Sequence, residues 1–236
     1  MLHNFLFKKE DIDQVFEKLA SEYIELGGTK RVEIYLVGGA AIVSNFDYRM
    51  STVDIDALFK DNYILETAIQ NIAKKDNLPA DWLNKDFVKT PSYSPKIIEK
   101  STMRTIYNEI IVVYSLEPKY LIAMKLKSSR PTGGDLDDII KMIYELRFKG
   151  TEITYETIIE AYKELYSDFS NTYDYFLEKA KEAFETPIED FEYLFKKYWL
   201  CGFDSRHLLQ MKKTALCAVI FIAISLWLTS LLSPSH

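Results

Sequence analysis

The amino-acid sequence predicts an α+β fold, with a small mixed β-sheet core first, a C-terminal helical bundle second and a hydrophobic tail helix at the end. Three observations lead to this fold class. Short β-branched and aromatic segments of strand type occur only before about residue 116. From Pro118 onward, apolar residues recur at helical spacing, and residues 214–232 carry no charged side chain. We therefore divide the chain into an α/β core (1–116), a helical region (117–210) and a tail (211–236).

The α/β core begins with a helix. Between Glu10 and Leu26 the apolar residues recur at helical spacing, and Gly27-Gly28 ends this helix. A strand follows from Val32 to Val37, and Gly38-Gly39 separates it from a short apolar helix. The segments predicted after that strand are a helix over 40–43, a strand over 53–59, a helix over 63–75, a mostly irregular stretch over 77–95, and strands over 102–106 and 109–115.

Five helices are expected in the helical region. Pro118 suits the first position of the first one, where its missing N–H costs no hydrogen bond. The predicted helices cover residues 118–129, 135–148, 154–166, 170–185 and 188–199. Trp82, in the irregular stretch before them, is expected to anchor that stretch in the core rather than to stack on a base, because large rings favour packing.

The composition is that of a globular protein. Of the 236 residues, 48% are hydrophobic and 27% are charged, and we expect most of the 16 Tyr and 14 Phe in the core. The net charge of −6 argues against a basic surface over the whole protein, although not against a local basic groove. The two cysteines and three histidines show no zinc-site spacing. Two thiols cannot form a disulfide framework, which favours a reducing, cytoplasmic setting. No secretory signal is expected at the N-terminus.

The tail is a candidate membrane anchor. As a helix, its 19 uncharged residues, 214–232, would span roughly 28 Å, close to the thickness of a bilayer core. Lys212-Lys213 come directly before them, as expected at a cytoplasmic membrane face. We therefore expect a cytoplasmic protein held at the inner face of the membrane. A buried hydrophobic helix or a sticky terminal extension is the alternative.

Two aspartates on the second strand are the candidate metal ligands. Asp54 and Asp56 point to the same face of a strand, with roughly 6.6 Å between their Cα atoms. Such carboxylates repel each other, and a cation that prefers oxygen ligands, Mg²⁺ or Mn²⁺, removes the repulsion. Gly38-Gly39 let the backbone approach phosphate oxygens, and the following helix presents free N–H groups. A Gly-Gly pair alone is more often a simple turn, and an Asp-x-Asp motif alone is more often a solvated strand face. Together the two motifs predict a site for a nucleoside triphosphate (NTP) with its metal.

These motifs resemble the nucleotidyltransferases related to DNA polymerase β. The common pattern is a Gly-Gly pair after a strand, a spacer, and Asp-x-Asp on the next strand. The sequence is more narrowly similar to the bacterial branch near the abortive-infection AbiEii toxins, over about residues 30–145. This narrower similarity rests on residues 35–41, Arg49, Ser51-Thr52-Val53-Asp54-Ile55-Asp56, Lys125-Leu126-Lys127-Ser128-Ser129-Arg130 and Asp135-Leu136-Asp137-Asp138.

The resemblance and the side-chain chemistry together suggest roles for further residues. The expected catalytic residues are Asp54, Asp56, Lys125 and Asp135, and the first two also bind the metal. The expected nucleotide-binding residues are Gly38, Gly39, Arg49, Ser51, Thr52, Arg130 and Asp138.

The charged residues among these also have structural explanations. Lys125 lies on an otherwise buried helix face, where it either contacts a phosphate or extends from the packed helix to solvent. Arg130 either binds phosphate or caps a helix end. Asp135 and Asp138 would stabilise a helix N-terminus without any ligand. Arg49 is about equally consistent with a surface arginine.

Two features depart from the superfamily pattern. Many members have Gly-Ser where this chain has Gly38-Gly39, so a hydroxyl that would contact phosphate is missing. A third metal carboxylate, usual on a later strand of the polymerase-like members, is not evident. The nearest candidate is Glu109, at the start of the strand predicted over 109–115.

The predicted activity is transfer of a nucleoside monophosphate from an NTP to a hydroxyl of tRNA or protein, with release of pyrophosphate. The branch resemblance implies a toxin or phage-defence component and an antitoxin partner. The alternative is a non-catalytic nucleotide-binding or interaction protein on the same fold, which the missing third carboxylate favours and the aspartate pair disfavours. A local basic rim for the acceptor is expected from Lys119, Lys125, Lys127, Arg130 and Lys141.

Overall fold

The computed structural model describes residues 5–167, 172 and 174–190. The tail predicted over 211–236, with its candidate membrane anchor, lies outside these residues, as does most of the helix predicted over 188–199. Within the described residues, no helix is both long enough and apolar enough to cross a membrane.

The described chain contains five strands, seven α-helices and three short 3-10 helices. The α-helices are α1 (Lys9–Glu25), α2 (Gly38–Asn45), α3 (Tyr63–Lys75), α4 (Pro118–Ser128), α5 (Asp135–Phe148), α6 (Tyr155–Leu165) and α7 (Asp174–Glu185). The strands are β1 (Val32–Leu36), β2 (Ile55–Leu58), β3 (Leu83–Asn84), β4 (Ser101–Tyr107) and β5 (Ile111–Leu116). The 3-10 helices are Asp86–Lys89, Pro95–Lys100 and Ile188–Asp190.

The five strands form one mixed sheet in the order β3-β2-β1-β5-β4. Strand β1 pairs antiparallel with β2 and parallel with β5, and β2 pairs parallel with β3. Because β1 and β2 run antiparallel, the turn after the last residue of β1, Leu36, lies at the same end of the sheet as the start of β2. The predicted α+β class, with a small mixed sheet before a set of helices, is therefore confirmed.

The second strand is shorter than the sequence pattern predicts. Strand β2 begins at Ile55, and Asp54 lies in a bend before it. The cause is a change of partner: the backbone of Thr52 exchanges hydrogen bonds of 2.7 and 2.9 Å with Phe7, whereas Ile55 donates to the carbonyl of Trp82. The chain bends between the two pairings, which leaves Asp54 at the mouth of the site.

The stretch predicted to be irregular over 77–95 contains β3 and a 3-10 helix. Trp82 anchors it, as expected, because its side chain is fully buried and its Nε1–H donates to the carbonyl of Ile69 at 3.1 Å. This anchoring places β3 beside β2, so that Asn84 pairs with Asp56 across the two strands.

Some helices pack against the sheet, and the others pack against each other. Helices α1 and α2 cover one face of the sheet, where the side chains of Ile34, Leu36 and Val113 are fully buried. Helix α4 packs against α5 and α6, and α5 packs against α7, as expected of a helical region. The start of α5 lies close to the glycine turn, since Arg49 after α2 forms an ion pair with Asp138 of α5.

Candidate active site

The candidate site begins at the turn between β1 and α2. Gly38 has a positive φ of +56°, which disfavours other residues, and a Cβ there would lie 3.0 Å from Oδ2 of Asp56. No described side chain caps the N-terminus of α2, and the N–H groups of its first residues have no partner within the helix. The turn therefore presents free backbone donors directly beside a carboxylate of the predicted metal pair.

The neighbouring glycine makes room for two predicted site residues. A Cβ on Gly39 would lie 2.4 Å from Oγ1 of Thr52 and 3.2 Å from Nη2 of Arg49. Arg49 also donates through Nε to the carbonyl of Ser51 at 3.3 Å. The structure thus brings the predicted residues Arg49, Ser51 and Thr52 to the glycine turn.

The two predicted metal ligands carry uncompensated charge. Burial raises the pKa of Asp56 from the ordinary 3.8 to about 6, and the charges of Asp54 and Asp86 add to the increase. Burial and the charge of Asp81 raise the pKa of Asp54, although a hydrogen bond from Asn84 opposes the shift. No cationic side chain pairs directly with either carboxylate within the described residues. The pair is therefore poised for a cation from outside the chain.

Three polar residues of this site were missed by sequence reasoning. Asn84 faces Asp56 from β3, and Asp81 and Asp86 flank it closely enough to raise the pKa values of Asp54 and Asp56. A two-residue strand has no detectable periodicity, so nothing in the sequence linked this loop to the aspartate pair. The only signal was the density of Asp and Asn between residues 81 and 86.

A second charged cluster lies at the junction of α4 and α5. The Lys125 ammonium, almost fully buried, donates to Asp135 at 2.7 Å and lies 3.0 Å from Oδ2 of Asp138. Arg130 donates to the Asp135 carboxylate through Nε and Nη2, both at 3.0 Å, and through its backbone N–H at 3.1 Å. Burial alone would raise the pKa of Asp135, but Arg130 and Lys125 outweigh it and hold the pKa far below its ordinary value.

Asp138 connects this cluster to the glycine turn. Its Oδ2 accepts a hydrogen bond of 2.8 Å from Nη1 of Arg49, and its Oδ1 accepts one of 3.1 Å from the hydroxyl of Tyr48. The chain thus places Arg49 between the turn and α5, with one side against Gly39 and the other against Asp138. Arg49 is therefore partly buried and paired with Asp138, and its contact with a nucleotide stays a prediction.

Glu145, another residue that the sequence did not single out, fixes the segment that carries Arg49. It is 1% exposed and accepts hydrogen bonds from the backbone N–H groups of Asp47 at 2.9 Å and Tyr48 at 3.0 Å. Lys149 supplies the cation that a buried carboxylate requires, at 2.6 Å. The helix was predicted from the spacing of its apolar residues, and that pattern does not indicate a role for a glutamate within it.

Two expectations are corrected by the structure. Lys125 and Lys127 are buried, so they cannot form part of an exposed basic rim, and Lys125 does not extend to solvent. Glu109 is not at the site. It lies in the β4–β5 turn with φ +59°, near Val32 at the opposite end of β1 from Gly38. In both cases the residues were assigned from helix or strand pattern alone, which does not report on the tertiary surroundings.

The donor atoms at the aspartate pair suit a hard divalent cation. Asp54 and Asp56 offer only oxygen ligands, the type that Mg²⁺ prefers, whereas Asn84 donates a hydrogen bond to Asp54 and its own amide oxygen accepts from the Asp86 N–H. No group of three or more His, Cys, Asp or Glu side chains in the described residues has metal-binding geometry. The two aspartates could hold Mg²⁺, which commonly binds through one or two carboxylates and takes its other ligands from water and substrate phosphates.

Comparison with known proteins agrees with this geometry. Residues 10–192 match the family described as nucleotidyltransferases of unknown function (DUF6036). No curated protein and no solved structure shows a significant match. The family match covers the sheet, the glycine turn, both aspartate pairs and the helices up to α7. The chain therefore belongs to this nucleotidyltransferase family.

Proposed function

We propose that this nucleotidyltransferase family member is a Mg²⁺- or Mn²⁺-dependent enzyme that moves a nucleoside monophosphate from an NTP to a hydroxyl acceptor. One observation carries the proposal. Asp56 lies against the N-terminus of α2, which no described side chain caps, and both Asp54 and Asp56 have raised pKa values with no cationic side chain paired to them among the described residues. A metal–triphosphate complex supplies both missing partners: a cation for the carboxylates and phosphate oxygens for the N–H groups.

Several groups around the turn are suited to bind the phosphates. The free N–H groups at the start of α2 would donate to phosphate oxygens, and the helix dipole would favour their negative charge. The Thr52 hydroxyl lies 2.4 Å from where a Cβ of residue 39 would be. It can therefore provide the contact that a serine makes in the Gly-Ser form of the motif. The exposed guanidinium of Arg130, held by Asp135, would add a positive charge on the same side.

The reaction is an in-line displacement at the α-phosphorus. The acceptor hydroxyl oxygen forms a bond to phosphorus, the bond to the β-phosphate oxygen breaks, and pyrophosphate leaves with the electron pair. The hydroxyl proton passes to water. When bound at Asp54 and Asp56, the cation would neutralise charge on the phosphates.

In this proposal, the predicted catalytic residues Lys125 and Asp135 do not contact the substrate and act through neighbouring side chains. Asp135 is fully buried and positions Lys125 and Arg130. The positive charges of Arg130 and Lys125 act on Asp56, because both lower its pKa against the effect of burial. We therefore assign Asp135 and Asp138 as positioning residues, which hold the cations of α4 and of the Arg49 segment near the metal pair.

The test uses the full-length chain in a non-ionic detergent. It is incubated with Mg²⁺, total tRNA, a protein mixture and each α-labelled NTP in turn. Label transfer is expected for the native chain and a loss of at least about 100-fold for Asp54→Ala/Asp56→Ala. Asp61→Ala, an exposed aspartate outside the site, is the matched control and should retain activity.

The non-catalytic alternative predicts a different result. NTP binding measured by calorimetry, without label transfer to any acceptor, would support a nucleotide-binding or interaction protein. If the chain neither transferred label nor bound an NTP, the proposal would be contradicted. The toxin role and the antitoxin partner implied by the AbiEii resemblance remain predictions. Growth arrest on expression that disappears with Asp54→Ala/Asp56→Ala would support them.

A further inference from the structure

The face of the sheet that carries Asp56 also carries two tyrosines and a glutamate. In β2, Asp56 and Leu58 are two residues apart and point to the same face, and Leu58 pairs with Tyr35 of β1. Tyr35 in turn pairs with Tyr114 of β5, and Glu33 lies two residues before Tyr35. The strand register therefore places these side chains on the face that bears the proposed metal site.

Beyond the metal site, this face is open in the described part of the chain. Helices α1 and α2 cover the opposite face. On the open face Glu33 is exposed, Met103 beside Tyr114 is 60% exposed, and Ile106 is 40% exposed. An accessible surface thus continues from the site along β1, β5 and β4.

Glu33 and the two tyrosines form a compact group, which we call the Glu33 cluster. The rings of Tyr35 and Tyr114 stack with centroids 4.7 Å apart and an interplanar angle of 16°. The Tyr35 hydroxyl donates to Glu33 at 3.1 Å, and the Tyr114 hydroxyl lies 3.5 Å from the other carboxylate oxygen. Burial and this hydrogen bond raise the pKa of Tyr35 to about 12, so the tyrosine stays neutral.

The Glu33 cluster has a negative charge and no cation of its own. In the described residues Glu33 forms no ion pair, and Arg31, which precedes β1, donates instead to the carbonyl of Glu109. Carboxylate and phenol oxygens together accept hydrogen bonds from an ammonium or guanidinium group. The cluster is therefore complementary to a lysine or arginine side chain.

The charges around the metal pair favour the same type of partner. Asp81 and Asp86 add negative charge next to Asp54 and Asp56, Lys125 and Lys127 are buried, and the exposed guanidinium of Arg130 is paired with Asp135. A polyanion such as RNA would approach this surface against its field, whereas a basic segment would be attracted.

We infer that the acceptor is a basic polypeptide segment, which binds a lysine or arginine at the Glu33 cluster and presents a Ser, Thr or Tyr hydroxyl at the Asp54–Asp56 pair. This inference rests on the proposed function. The hydroxyl oxygen bonds to the α-phosphorus, pyrophosphate leaves with the electron pair of the broken bond, and the proton goes to water. The product is a polypeptide with a nucleoside monophosphate on its hydroxyl.

The register also sets the spacing between the two points of recognition. The Val37 N–H donates to the carbonyl of Asp56, and Glu33 lies four residues before Val37. Four residues of strand cover roughly 13 Å. An extended acceptor segment spans the same distance in about four residues, which sets the expected separation of basic residue and hydroxyl.

The test offers the full-length chain, with Mg²⁺ and each α-labelled NTP, three acceptors. These are a degenerate peptide library with arginine four residues from a serine, the same library with glutamate in place of arginine, and total tRNA. The basic library should be labelled in preference to the other two. For that library, Glu33→Gln should raise KM about five- to tenfold with little change in kcat, because it removes the charge and keeps the shape.

Glu109→Gln is the matched control, because Glu109 is exposed and its side chain is not part of the Glu33 cluster. It should leave KM unchanged. Preferential labelling of tRNA, equal labelling of the two libraries, or a KM that does not respond to Glu33→Gln would overturn the inference. Calorimetry of NTP binding separates the two proposals: binding without peptide labelling rejects only the acceptor, and no binding rejects the proposed function as well.

Discussion

The protein has two pairs of aspartates, Asp54 with Asp56 and Asp135 with Asp138. The first pair lies beside further carboxylates, whereas the second pair lies beside cationic side chains. Asp54 and Asp56 sit half-buried at the end of the sheet, beside further carboxylates, and their pKa values are raised. Asp135 is more deeply buried than either, yet its pKa is strongly lowered by Arg130 and Lys125. Burial by itself therefore does not distinguish a binding site from a structural one.

The difference lies in where the compensating cation comes from. At α5 the chain supplies its own cations, Lys125, Arg130 and Arg49, in ion pairs of 2.7 to 3.0 Å. At β2 no described side chain does so. An internal ion pair holds the cluster together whatever else is bound. An uncompensated pair of carboxylates lowers the stability of the free protein, and a bound cation restores it. In the proposed function, the first pair binds the metal and the second pair positions the cations near it.

The largest expected effect comes from removing the charge of Asp135. Asp135→Asn should lower the free energy of unfolding by about 3 kcal/mol at pH 7, since it leaves the buried Lys125 ammonium with only Asp138. The folded-state pKa of Asp135 is depressed, so this stabilisation is complete above its ordinary pKa near 4 and is lost as pH falls further. Urea unfolding at pH 7 and below pH 4 measures both features.

Asp137→Asn is the control for that variant. Asp137 is on the same turn of α5, but burial raises its pKa, so removing its charge should not destabilise the protein. If Asp137→Asn cost as much as Asp135→Asn, the loss would reflect the helix N-terminus and not the internal ion pairs.

At the Asp54–Asp56 pair, removing a charge is expected to raise the free energy of unfolding. A rise in the pKa of Asp56 from 3.8 to about 6 corresponds to roughly 3 kcal/mol, which partial exposure reduces to about 1–2 kcal/mol. Between these pH values the folded protein holds more protons than the unfolded chain, so stability falls as pH rises. Asp56→Asn should therefore stabilise the metal-free protein by that amount at pH 7 and by almost nothing at pH 4, while abolishing activity.

Thermal unfolding with and without Mg²⁺ checks this prediction. Mg²⁺ with an NTP should stabilise the native chain and have little effect on Asp56→Asn, because the variant lacks a metal ligand. If Asp56→Asn were less stable than the native chain at pH 7 without metal, Asp56 would already have a partner inside the fold.

The smallest effect is expected at Arg130. Its side chain is 62% exposed and Lys125 also pairs with Asp135, so Arg130→Gln should cost less than about 1 kcal/mol. Because the charge of Arg130 lowers the pKa of Asp56, the pH midpoint of the Asp56-dependent stability change should move upward in the variant. A loss above about 2 kcal/mol would mean that Arg130, not Lys125, is the principal cation of the cluster.

The local elements and the first pair of aspartates could be predicted from the sequence. Helices α4, α5 and α6 begin and end within one residue of their predicted limits, because helical periodicity, Pro118 and the acidic first turn of α5 are local signals. Gly38, Gly39, Asp54 and Asp56 were singled out together, since a turn that needs glycine and two carboxylates at strand spacing are also local patterns.

Only the tertiary structure decided how these parts work together. Asn84 joins the site through a two-residue strand, Glu145 holds the Arg49 segment from α5, and Lys125 is paired rather than free. Each depends on contacts between residues far apart in the chain, which no periodicity encodes. The sequence determined that this chain has carboxylates, glycines and cations suited to nucleotidyl transfer. The fold determined which carboxylates pair with an internal cation and which have none among the described residues, because burial and neighbouring charge are properties of the packed chain.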